Sequence, residues 1–119
     1  MDYKQYYDNF IASYSQGFTT AENIGKAVVD EAQYFCDLNI SYAMSEIKFN
    51  RVLSTIEQST SEDGKMLSSS KAKTIAESRP EFEDFLLAKR KMENCDQILK
   101  ALRSLQVGVL KEMNYSGQI

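Results

Sequence analysis

The stretch that decides the fold runs from Pro80 to Met113 and reads PEFEDFLLAKRKMENCDQILKALRSLQVGVLKEM. It contains one glycine and no proline after its first residue. One set of residues, with a single polar member, recurs in alternating steps of three and four: Phe85, Ala88, Met92, Cys95, Leu99, Leu102, Gln106, Val109 and Met113. This spacing is typical of a helix that packs along its length against other helices. At about 1.5 Å per residue the helix would be roughly 50 Å long, so the sequence predicts a rod that needs a second long helix to complete its core.

A second heptad pattern lies nearer the N-terminus. Five of its residues are each seven apart: Val28, Phe35, Tyr42, Phe49 and Ile56. The positions three residues after the first four hold Glu31, Leu38, Ser45 and Val52. This pattern predicts a second long helix over residues 19–59, which begins with a capping box of Thr19 and Glu22. The polar run Ser59–Gly64 ends the helix, because its residues favour turns.

The remaining segments complete a single all-α domain. Residues 1–18 hold a short helix whose aromatic side chains share one face, which indicates core or interface more strongly than base stacking. Residues 60–79 connect the two rods and contain a short helix over about Lys71–Glu77, capped by the serines before it. A further capping box, Ser78–Glu81, starts the helix of residues 80–113, and residues 114–119 form a frayed tail. We therefore expect a long antiparallel, coiled-coil-like helical hairpin that forms oligomers.

Composition excludes several classes of protein. The chain has no histidine, the commonest general base and metal ligand, so we expect no enzymatic activity, no metal and no cofactor. Cys36 and Cys95 each lie in a helical pattern, which indicates small buried side chains. Because they lie at different distances from the hairpin tip, we expect no disulfide between them. No apolar run approaches the ~20 residues of a membrane span, and residues 1–10 do not resemble a signal peptide. We expect a cytoplasmic protein without membrane association.

Charge is distributed unevenly along the chain. Residues 1–47 hold two basic and seven acidic residues, whereas residues 48–119 hold twelve basic and ten acidic residues. An antiparallel hairpin would gather basic residues near its tip and bring Lys89–Lys91 level with Lys48 and Arg51. Such a cluster is suited to phosphates, with binding that weakens as salt rises. The alternative is a solvated surface whose cations form ion pairs with Glu46, Glu57, Glu77 and Glu83.

Several motifs resemble a known family. Ser70–Ser78 reads SKAKTIAES and is followed by Pro80, an acidic and aromatic helix start, and an uninterrupted helix to Met113. Together with LKALRSLQVG at Leu99–Gly108, this stretch resembles phage recombination mediators of the UvsY type, and the resemblance covers roughly residues 22–113. It implies a single-stranded-DNA-binding protein in the cytoplasm of a bacterial host. Such a protein forms a ring-like homo-oligomer, contacts the phage single-strand-binding protein and helps to load the recombinase.

The candidate nucleic-acid-binding residues are Lys48, Arg51, Lys71, Lys73, Arg79 and Arg90. In the family, the DNA-contacting basic residues lie near the end of the long N-terminal helix, and only the first two candidates occupy that region here. The candidate core or oligomer-interface residues are Phe35, Tyr42, Phe49, Leu99, Leu102 and Val109.

Two other functions stay open from the sequence. One is a structural or adaptor coiled-coil protein that does not bind DNA. The other is a small phage inhibitor of a host protein, which would present a DNA-mimicking acidic face. The residues of that face would be Asp2, Asp8, Glu22, Asp30, Glu31, Asp37 and Glu46.

Overall fold

The structure, a computed structural model, describes residues 1–17, 19–61 and 64–115. Within these residues the chain is all-α, as predicted. Its helices are Tyr3–Ser15 (α1), Ala21–Glu57 (α2), Ser69–Glu77 (α3) and Pro80–Tyr115 (α4). An isolated antiparallel bridge between Thr60 and Met66 closes the turn that follows α2. None of the described helices is long and apolar enough to cross a membrane.

The described chain divides into two compact units. Unit 1 contains Met1–Asp37 and the described residues from Met92 onward, and unit 2 contains Leu38–Lys91. Both α2 and α4 contribute to each unit. Within each unit the two helices pack antiparallel, which confirms the predicted helical hairpin.

The core of unit 1 comes from the packed faces of α2 and α4. Its buried residues are Ile24, Ala27 and Glu31 from α2 and Cys95, Leu99 and Leu102 from α4. Helix α1 packs on the flank of α2, where the Tyr6 hydroxyl donates to the Asp30 carboxylate and the Tyr6 ring lies 6.0 Å from that of Tyr34. The Tyr34 hydroxyl in turn donates to the backbone carbonyl of Met1 at 3.1 Å. The aromatic face of α1 thus contributes to packing at Tyr6.

The core of unit 2 is aromatic and includes α3. The Phe49 ring lies 5.1 Å from Phe82 and 5.7 Å from Phe85, and Tyr42 stacks on Phe85 at 5.5 Å. Ala72 and Ala76 of α3 are fully buried in the same cluster as Phe49 and Ile56. Because alanine has only a methyl side chain, the backbone of α3 can approach this cluster closely.

The helix starts differ in part from the sequence prediction. The Ser68 hydroxyl accepts from the Lys71 amide at 3.3 Å and caps α3, as predicted. The capping box predicted at Thr19 is wrong by one residue, because α2 begins at Ala21 and the Thr20 hydroxyl accepts from the Asn23 amide at 3.2 Å. The box predicted at Ser78 is also wrong. That hydroxyl donates to the Ile75 carbonyl at 2.6 Å, and Ser78 is the C-cap of α3, while Pro80 is the first residue of α4.

The two cysteines have different environments. Both are free, and Cys95 is buried as predicted. Cys36 is exposed, which corrects the prediction of a buried side chain. It follows the half-buried Phe35 by one residue, and a step of about 100° around a helix turns it away from the packed face.

Helix α4 extends two residues beyond its predicted end at Met113. Asn114 and Tyr115 belong to α4. Residues 116–119 lie outside the described residues, as do Glu62 and Asp63 of the predicted turn.

Candidate nucleic-acid interface

The predicted nucleic-acid-binding residues all belong to unit 2, and all are exposed. Lys48 and Arg51 lie on the second half of α2. Arg79 occupies the link between α3 and α4. The remaining candidates are Lys71 and Lys73 on α3 and Arg90 on α4.

Arg51 and Arg79 line the same groove. This groove, the Arg51–Arg79 groove, has a volume of about 360 Å³ and is lined by Arg51, Val52, Thr55, Ile56, Arg79 and Glu81. Its lining residues therefore include two arginines, one glutamate and two aliphatic residues. Guanidinium groups suit phosphate because their planar fork can donate two parallel hydrogen bonds to it.

Lys48 lines a neighbouring groove with a different charge balance. That groove, of about 240 Å³, is also lined by Ser41, Met44, Ser45, Glu81 and Asp84. Two carboxylates thus accompany a single ammonium group. Acidic residues in the first turn of α4 stabilise the positive end of that helix, which gives Glu81 a structural reason to be here. The Lys48 groove is consequently a poorer phosphate site than the Arg51–Arg79 groove.

The other basic candidates do not join these grooves. Lys71 and Lys73 flank the buried Ala72 and are two residues apart, so they project to different sides of α3. Arg90 follows Arg79 by eleven residues, which is roughly 16 Å along a helix. The prediction that Lys89–Lys91 lie level with Lys48 and Arg51 is wrong. Since Phe82 contacts Phe49, the start of α4 occupies that level instead.

The candidate cations are not neutralised by the acidic residues considered above. The side-chain nitrogens of these six residues form no ion pair within 4.0 Å and no hydrogen bond with any other described residue. The described ion pair, Lys100–Asp96, lies in unit 1 with an N–O distance of 2.9 Å. Residues 38–91 carry nine basic and eight acidic residues, whereas the rest of the chain carries five basic and nine acidic. The side chains of the six candidate cations are therefore available to an anionic ligand.

The predicted core or interface residues lie where α2 and α4 pack together. Phe49, Leu99 and Leu102 are buried, and Phe35, Tyr42 and Val109 are half-buried. Phe49 and Tyr42 contact aromatic rings of α4 within unit 2. Packing within the chain thus uses much of their surface.

Unit 1 also contains a buried carboxyl–thiol pair that was not predicted from the sequence. Glu31 is fully buried, its Oε2 lies 3.6 Å from the Cys95 sulfur, and its Oε1 has no hydrogen-bond partner among the described residues. Burial raises the pKa of Glu31 to about 7, with a smaller contribution from the carboxylates of Asp2 and Asp30. Burial likewise raises the pKa of the Cys95 thiol to about 12. The sequence did contain one indication of this pair, because Glu31 is a charged residue at a heptad position of α2.

One residue of the acidic, DNA-mimicking face expected from the sequence is not at the surface. Glu31 is buried and so cannot contribute to a surface that mimics DNA. Asp30 and Asp37 do line one groove of unit 1, together with Tyr6, Gln33 and Tyr34. Burial and the neighbouring Asp30 raise the pKa of Tyr6 well above its ordinary value. No group of three or more cysteine, aspartate or glutamate side chains among the described residues is placed to hold a metal ion.

Comparison with known proteins finds no matching family model, no matching curated protein and no matching solved structure. The resemblance to phage recombination mediators therefore rests on the sequence motifs alone.

Proposed function

We propose that this protein is a non-enzymatic accessory protein that binds single-stranded DNA through the Arg51–Arg79 groove. The observation that supports this proposal is the groove itself. Arg51 of α2 and Arg79 of the link between α3 and α4 line it, and neither forms an ion pair with a described residue.

The chemistry of the groove favours a single strand. An unpaired strand can bend its backbone to follow a groove, and its exposed bases can contact apolar atoms such as those of Val52 and Ile56. Glu81 opposes the phosphates, so affinity for each chain should be modest and sensitive to salt. Several copies in one homo-oligomer would multiply this weak binding.

The role in recombination follows from the motif resemblance. In this proposal the protein holds single-stranded DNA in the cytoplasm of a bacterial host, contacts the phage single-strand-binding protein and helps to load the phage recombinase. The sequence feature that supports it is the pairing of SKAKTIAES at Ser70–Ser78 with the long helix that follows.

Fluorescence anisotropy of a labelled oligothymidine of about 20 nucleotides tests DNA binding, since this length exceeds a usual single-strand site. We expect binding at about 50 mM salt that is lost at about 300 mM salt. Changing Arg51 and Arg79 together to alanine should weaken binding. It should also reduce the slope of log affinity against log salt by about 1.4, because two phosphate contacts are lost.

The matched control is Arg103→Ala, which removes an exposed arginine from α4 in unit 1. It should leave both the affinity and the slope unchanged. Absence of binding at low salt would refute the proposal, and so would equal losses in the control and the double variant.

A helical adaptor is the second candidate function. It is favoured by the exposed apolar side chains of Ile40, Met44 and Ile47 on α2 in unit 2. An adaptor of this kind would assemble with a protein but would not change the anisotropy of the oligonucleotide.

A further inference from the structure

Helix α2 carries a second apolar face within unit 2. Ile40 is 59% exposed and Ile47 is 51% exposed, and Ala43 between them is also exposed. These three residues, which we call the outer stripe, are separated by three and then four positions. The outer stripe thus has the spacing of a coiled-coil seam, although no described residue of unit 2 covers it.

The outer stripe and the packed face of α2 point in nearly opposite directions. The packed face holds Tyr42, Ser45 and Phe49. At about 100° per residue, the mean direction of the outer stripe is roughly 160° from that of the packed face. Packing against α4 within unit 2 therefore leaves the outer stripe open to a partner.

We propose that the outer stripe binds the outer stripe of a second copy of this chain, as a parallel, in-register, two-stranded coiled coil. In heptad terms Ile40 and Ile47 occupy a positions and Ala43 occupies the d position. Parallel two-stranded coiled coils combine β-branched residues at a with Leu at d, and here Ala43 takes the place of Leu. The small side chain of Ala43 allows the two helices to approach closely, and the contact is self-complementary as two-fold symmetry requires.

Charge complementarity selects this partner and this orientation. In the same heptad Glu46 occupies the g position and Arg51 occupies the next e position, five residues later. In a parallel pair the g residue of one helix faces the following e residue of the other, so Glu46 meets the partner subunit's Arg51, and symmetry repeats the contact. An antiparallel pair would instead bring g near g and e near e, which would place like charges together. The parallel dimer therefore forms two interchain ion pairs.

Sedimentation velocity of the full chain without DNA tests the dimer. We expect a dimer at roughly 100 μM protein, a concentration at which even a weak association is populated. The double variant Ile40→Glu/Ile47→Glu should sediment as a monomer, because it places charges at both a positions. Its helix content by circular dichroism should stay unchanged, since both side chains are exposed in the single chain.

The matched control is Met66→Glu, which changes a 70% exposed apolar residue of unit 2 outside α2. It should remain a dimer. A monomeric parent chain would overturn the proposal. So would a dimer that persists in the double isoleucine variant.

Two further sets of variants test the parallel orientation. Glu46→Arg and Arg51→Glu should each weaken the dimer about tenfold, because each places like charges together at two symmetry-related contacts, and the double exchange should restore it. In a Cys36→Ser background, Ala43→Cys should form an interchain disulfide when the thiols are oxidised with diamide, whereas the exposed Ser41→Cys should not. A dimer that shows neither restoration nor cross-linking would refute the parallel arrangement. None of these measurements uses DNA, so failure of the DNA-binding proposal would not affect them.

Discussion

Glu31 should make the stability of this protein fall as pH rises. The carboxyl group is fully buried in unit 1, and its Oε1 has no partner among the described residues. The Cys95 sulfur lies 3.6 Å from Oε2 and 3.7 Å from the Glu31 carbonyl oxygen, and its single S–H can donate to only one of them. A deprotonated carboxylate is poorly stabilised in this environment, because burial penalises charge unless a cation or several donors compensate for it.

The magnitude follows from the pKa. Burial raises the pKa of Glu31 from its ordinary value of 4.5 to about 7. At roughly 1.4 kcal/mol for each pH unit, the free energy of unfolding at pH 8 should be lower by up to about 3 kcal/mol than it would be with a neutral group. Between the two pKa values the folded chain binds more protons than the unfolded chain. The contribution of Glu31 is therefore most favourable below pH 4.5, declines as pH rises to about 7 and is constant above it.

Urea unfolding followed by circular dichroism, in steps from pH 5 to pH 8.5, measures this dependence. The parent chain should lose stability as pH rises from 5 to about 7 and change little above that, and Glu31→Gln should remove most of this decline. For Glu31→Gln, the change of stability with pH reports on the titration of Glu31 better than the stability at any one pH does. A buried amide adds its own unsatisfied N–H donors, which cost about 1–3 kcal/mol at every pH. Glu31→Met avoids that cost, so it should be more stable than the parent chain at pH 8.

The matched control is Glu93→Gln, because Glu93 is exposed on α4 in the same unit. It should retain the pH dependence of the parent chain. The reasoning fails if the parent chain is equally stable at pH 5 and pH 8.5. It also fails if Glu31→Gln keeps the full decline, since the titrating group would then lie elsewhere.

Two further predictions concern the connector in unit 2. Ala72→Leu should destabilise the chain by about 1–3 kcal/mol in urea unfolding, because Ala72 is fully buried and extra methyl groups would displace α3, whereas Lys73→Leu on its exposed side should not. Ser68→Ala should lower the free energy of unfolding by about 1 kcal/mol, because it removes the acceptor for the Lys71 amide. Ser70→Ala should lower it less, because Ser70 does not cap the helix. Equal losses of stability in the two serine variants would refute the capping role of Ser68.

Heptad spacing was sufficient to predict the fold but not the details of its ends. The α4 pattern predicted buried Cys95, Leu99 and Leu102, because a 3-4 repeat places side chains on one face whatever the partner is. The caps of α2 and α4 were predicted less well. Adjacent polar residues, such as Thr19 and Thr20, can both cap a helix, and the spacing does not decide between them.

The candidate site was harder to predict, because a groove depends on axial register between helices. Composition showed that basic residues gather in the second half of the chain. It did not show that Arg79 shares a groove with Arg51, or that Glu81 and Asp84 lie where Lys89–Lys91 were expected. The contact of Phe49 with Phe82 sets this register, and heptad spacing alone allows several such pairings.

Arg51 connects the two proposals, because it lines the groove and also occupies the e position beside the outer stripe. A guanidinium group has five N–H donors, so its position does not commit it to one partner. An ion pair with the partner subunit's Glu46 would lie at the exposed edge of the coiled coil, where such pairs contribute little energy, and phosphate could replace the carboxylate at small cost. Stability of the dimer would come mainly from Ile40 and Ile47, and orientation from the charges. Dimerisation and DNA binding can therefore share Arg51 without excluding each other, and the pair of chains would present two Arg51–Arg79 grooves to a single strand.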